Sequence, residues 1–149
     1  MQVYDSFKNG GAEISMVPAV RDPKTRPCVD QHTPGCPWEK VTLCAFDGQP
    51  TATRVAYLDC MDTPWSHLLN WTDPKRCAEQ LGIPYDGISK CFNGTRGEQL
   101  LNEAAATFTA QFPKPVFLPQ AAVNGKVVDA DYDSIKAAAC KAGSSSSAC

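Results

Sequence analysis

The chain has no two cysteines separated by two residues, although it carries eight cysteines in 149 residues. Their successive separations are 8, 8, 16, 17, 14, 49 and 9 residues. A Cys-x-x-Cys exchange site needs one thiol activated at a helix start and a second close enough to resolve the mixed disulfide, so the chain as written excludes one. A basic block is lacking too. The net charge is −2 and aromatic residues do not alternate with Lys or Arg, so no nucleic-acid partner is expected. No apolar run approaches the length of a bilayer span, so no membrane partner is expected either.

Close metal-ligand pairs are also missing. Cys28, His32, Cys36 and Cys44 are spaced too widely for a zinc knuckle, and Pro34 and Pro37 break any helix that would align them. No metal and no cofactor are expected. His32 and His67 have no Ser or Cys partner at a suggestive position, which argues against a hydrolase. Asp129, Asp131 and Asp133 lack the glycine and glutamate of a calcium loop, and helix capping explains them more simply.

What the chain has in excess is cysteine. An even number at wide, irregular spacing reads as disulfides formed in an oxidising compartment, and the disulfide candidates are Cys28, Cys36, Cys44, Cys60, Cys77, Cys91 and Cys140. Two N-glycosylation triplets agree, Asn70-Trp71-Thr72 and Asn93-Gly94-Thr95, with Asn70 and Asn93 as acceptors. A secreted protein, or one delivered to a lysosome-like compartment, is the expectation. Met1 to Lys8 has neither the basic start nor the apolar centre of a signal peptide. A signal and further residues upstream of Met1 are therefore expected.

Periodicity places the elements. Val3, Tyr4 and Phe7 share a helical face that Gly10 and Gly11 close. Glu13 to Val17 alternates as a strand that Pro18 ends. Residues 21–40 read as irregular structure pinned by disulfides, and Glu39 to Met61 as helix broken at Asp47-Gly48-Gln49-Pro50, with Pro64 as its stop. Helices follow over Asp73 to Leu81 and Tyr85 to Cys91, then a long one introduced by Thr95-Arg96-Gly97-Glu98, a capping-box pattern, and ended by Pro113. Apolar runs around Asn124-Gly125 predict a hairpin with a type I′ turn, with Pro119 ahead of a buried strand. A last helix, Asp131 to Ala142, packs on that sheet. The expected architecture is an α/β sandwich with a helical insertion, one domain over residues 1–143. Residues 144–149 form a flexible Ser-rich tail, on which Cys149 stands as a candidate for a disulfide-linked dimer.

From Ile14 to Cys140 the chain resembles the gamma-interferon-inducible lysosomal thiol reductase (GILT) family. The residues that carry the likeness are Ile14-Ser15-Met16-Val17-Pro18, Gln31-His32 between Cys28 and Cys36, and Lys40-Val41 with Cys44. It continues through Asp59-Cys60-Met61, Cys77, Cys91 to Leu100, and Leu118-Pro119 with Val123-Asn124-Gly125-Lys126. The family's Cys-Gln-His-Gly signature is only partly kept: Val29 and Asp30 separate Cys28 from Gln31, and Thr33 stands where the glycine would be.

The resemblance implies an α/β, thioredoxin-like fold with a helical, disulfide-rich insertion, its first strand and active-site turn missing from this chain. It implies a protein disulfide reductase acting on disulfide-containing protein substrates. The reactive pair would precede Met1, so no catalytic residue is assigned, and the chain as written is expected to be inactive. Pro119 matches the family's substrate-docking cis-proline. The alternative reading is a secreted, non-catalytic, disulfide-rich binding protein.

Overall fold

The computed structural model describes residues 2–20, 35–62, 72–114 and 118–149. Among them lie seven helices and one two-stranded sheet. The chain divides into two compact units, residues 17–113 and a second made of residues 1–16 with 114–149.

The larger unit is helical. Pro37 starts α2 (Pro37–Phe46), because a residue without an amide hydrogen costs nothing in a helix's first turn. Pro50 precedes α3 (Thr51–Met61), and the break between the two falls where Asp47-Gly48-Gln49-Pro50 predicts it. Then come α4 (Asp73–Gln80), α5 (Tyr85–Asn93) and α6 (Thr95–Gln111). Helix α2 is the hub, touching α3, α4, α5 and α6. Val20, Cys36, Leu101, Ala104 and Ala105 form a buried cluster with Leu43 against it. Burying a side chain such as Leu101 is worth about 2 kcal/mol. Phe46 meets Tyr57 edge-on at 6.3 Å between ring centroids. The Tyr57 hydroxyl is buried without a hydrogen-bond partner among the described residues, and that burial pushes its pKa well above the ordinary phenol range.

Helix α6 begins differently from the capping-box expectation. Gly94 is its N-cap and no side chain caps it; Thr95 is already helical. The Glu98 carboxylate is taken by the ammonium of Lys40 on α2, an ion pair that outcompetes the reach back to a backbone amide. Lys40 also lies over the Phe92 ring, 5.1 Å from its centroid. The stem of Lys40 crosses α6 at Gly97, where a Cβ would fall 2.7 Å from the Cys91 carbonyl oxygen. Gly97 is therefore the point at which three helices close on one another.

In the smaller unit, β1 (Ala121–Val123) pairs antiparallel with β2 (Lys126–Val128), Ala122 opposite Val127. Asn124 and Gly125 take φ of 48° and 75°, the two positive angles of the expected turn. Helix α7 (Tyr132–Lys141) packs on both strands and against α1 (Gln2–Phe7). The Ser6 and Tyr132 hydroxyls are 2.9 Å apart. Asp131 caps α7, accepting from the Ser134 amide at 2.9 Å; that bond holds its carboxyl below the ordinary range.

Three expectations need correction. Glu13 to Val17 is not a strand, because the residue alternation finds no pairing partner among the described residues. The hairpin is not buried: Val127 is 56% exposed, since α7 covers one face of a sheet only two strands wide. The Ser-rich tail is tied down. Ser146 is 7% exposed and donates its hydroxyl to the Ser6 carbonyl, and the Ser145 amide donates to the Gly10 carbonyl at 3.1 Å. Short hydroxyls beside a helix's last carbonyls satisfy acceptors that the helix itself leaves open.

Candidate functional site

The sequence directs attention to Pro119 and to the cysteines. Pro119 follows Leu118 through a cis peptide bond, two residues ahead of β1. Both residues are on the surface, Leu118 55% exposed. The segment stands at the start of a hairpin whose other end is fixed by the Asn124-Gly125 turn and whose back is braced by α7. Ala122 and Val127 carry the apolar surface onto the sheet's outer face. The group is a small, exposed, mostly apolar ledge. It holds no titratable nucleophile.

The cysteines are engaged in cross-links. Cys44 on α2 bonds Cys91 on α5, Cys60 on α3 bonds Cys77 on α4, and Cys140 on α7 bonds Cys149. Their Cα separations of 5.7, 5.7 and 5.3 Å lie in the ordinary disulfide range. Cys36 is also disulfide-bonded, and no free cysteine remains among the described residues. Cys149, considered above for a link between chains, has its sulfur bonded within its own chain, because the tail folds back over α7. Sequence reading missed this pair because a polar serine run signals a loose end, whereas here its hydroxyls hold the tail to Ser6 in α1 and to Gly10 in the turn after it.

Around Cys60 the surface is polar. Arg76, paired with Asp73 at 3.1 Å, extends a guanidinium nitrogen to 3.5 Å from the Cys60 sulfur. An open depression of 450 Å³ near the α4–α5 turn is lined by Lys75, Glu79, Ile83, Pro84, Tyr85 and Asp86. Its charged residues are solvated, and no metal-binding cluster occurs among the described residues. No described helix is long and apolar enough to cross a membrane.

Asn93, the second glycosylation acceptor, is exposed at the last residue of α5, with Thr95 exposed at the first residue of α6. Cys28, Gln31, His32, Pro64, His67 and Asn70 lie outside the described residues, and so do residues 21–34, for which irregular structure pinned by disulfides is the expectation. Compared with known proteins, the chain matches no family model, no curated protein and no solved structure.

Proposed function

We propose that the protein is a thiol–disulfide oxidoreductase of the GILT type, with a thioredoxin-like arrangement in which Leu118, Pro119 and the β1–β2 hairpin form the substrate-docking side. The observation that carries this reading is the exposed Leu118-Pro119 segment leading into an Asn-Gly hairpin braced by α7. The disulfide-stapled helical block before it is consistent with the insertion that the resemblance implies. Reduction would run by thiolate attack on a substrate disulfide, a mixed disulfide, and its resolution by a second thiol. The chain as written carries no Cys-x-x-Cys pair to perform it.

The chain itself should show no turnover in an insulin-reduction assay. Turnover that disappeared on mutating one of its eight cysteines would overturn that expectation. The gene sequence upstream of Met1 is the sharper test: an in-frame Cys-x-x-Cys supports the reading, and an in-frame stop codon directly before Met1 sinks it. The second reading, a non-catalytic disulfide-rich binding protein, is favoured by the absence of a free thiol among the described residues.

A further inference from the structure

We infer that Asn93 is a site of N-linked glycosylation in the folded protein. Of the five asparagines in the chain, only Asn70 and Asn93 stand two residues before a Ser or Thr. For Asn93 the structure supplies what the triplet alone cannot. The acceptor is exposed at the end of α5, the hydroxyl residue Thr95 is exposed at the start of α6, and Gly94 between them is extended at φ −109° and ψ 179°. The junction is thus an outward-facing corner between two helices.

The chemistry of the amide fits as well. Asn93 Nδ2 donates to the Ser89 carbonyl at 2.9 Å and lies 3.5 Å from the Ser89 hydroxyl, both exposed contacts within the last turn of α5. Glycan transfer replaces one of the two amide hydrogens. The nitrogen forms a bond to the anomeric carbon of a polyprenyl-diphosphate-linked oligosaccharide, the carbon–oxygen bond to the diphosphate breaks, and the amide proton is lost to base. No buried contact has to open.

An independent feature agrees with this. Every described cysteine is disulfide-bonded, which fits an oxidising environment such as the one in which N-glycans are added. The inference needs passage through that compartment and does not rest on the reductase reading.

The full chain, expressed behind a heterologous secretion signal in eukaryotic cells, provides the test. Amidase release of N-glycans in heavy-oxygen water should convert Asn93 to labelled Asp in the peptide that contains it. T95A should abolish this and T95S should retain it, each variant keeping the wild-type disulfide mass. In an N70Q background the remaining mass shift on deglycosylation should vanish with N93Q. A secreted, disulfide-bonded protein with an unmodified Asn93 peptide overturns the inference, as does a glycan load that N93Q leaves unchanged.

Discussion

At Gly97 a missing side chain fixes the meeting of three helices. The Lys40 stem and the Cys91 carbonyl oxygen occupy the volume that a Cβ would need, the oxygen at 2.7 Å. A backbone oxygen cannot swing away as a flexible side chain can. Gly97→Ala should cost about 1–3 kcal/mol, the range for forcing extra atoms into packed structure, read as a lowered midpoint in urea. An unchanged midpoint would mean that α5 and α6 are not in this contact in solution.

Asp47 makes a different kind of contact. It accepts two hydrogen bonds from Arg96, at 2.7 and 2.8 Å, and these bonds and the guanidinium charge hold its carboxyl below the ordinary range. A depressed carboxyl stabilises the fold above its unfolded pKa, and that contribution is lost as pH falls through the folded value. Asp47→Asn should therefore be slightly less stable than wild type at neutral pH, and the gap should close on acidification below the ordinary carboxylate range. The effect is small because both side chains remain more than a third exposed. Melting curves across that range check the sign: a gap that widened in acid would be incompatible with the pair.

Among the elements, the disulfides differ in the length of chain they close. Cys44–Cys91 spans 47 residues, Cys60–Cys77 spans 17 and Cys140–Cys149 spans 9. If loss of freedom in the unfolded chain dominates, removing them should cost about 4, 3 and 2.5 kcal/mol respectively. Paired Cys→Ala variants, compared by denaturant midpoint, test the order. The hairpin and α6 show why elements were only partly legible. Asn124-Gly125 dictates its turn by backbone sterics alone, so the local sequence suffices. The capping box of α6 needed Glu98 to prefer a neighbouring amide over a lysine 58 residues away, a choice invisible along the chain.

At the scale of the molecule, the cross-links determine what the protein presents to its surroundings. With no free cysteine among the described residues, alkylation under denaturing, non-reducing conditions should label none of Cys36, Cys44, Cys60, Cys77, Cys91, Cys140 or Cys149. A non-reducing gel should show a monomer. Of Cys44–Cys91, Cys60–Cys77 and Cys140–Cys149, graded reduction should open Cys140–Cys149 first, because Cys149 is exposed while Cys44 and Cys77 are buried. A disulfide-linked dimer, or first labelling at Cys77, would contradict the arrangement of the tail.

The sequence by itself determined the helices from Glu39 onward, the break before Pro50, the hairpin turn, and the use of cysteine for cross-links. Each depends on contacts a few residues apart or on composition. Only the tertiary structure decided which cysteines pair, that Glu13 to Val17 stays unpaired among the described residues, and that the serine tail is anchored. These outcomes require groups far apart in sequence to meet, and 134 residues separate Gly10 from the Ser144 hydroxyl that it receives. The Leu118-Pro119 ledge stands between the two: its turn was legible, while its exposure on one side of a two-stranded sheet came from where α7 packs.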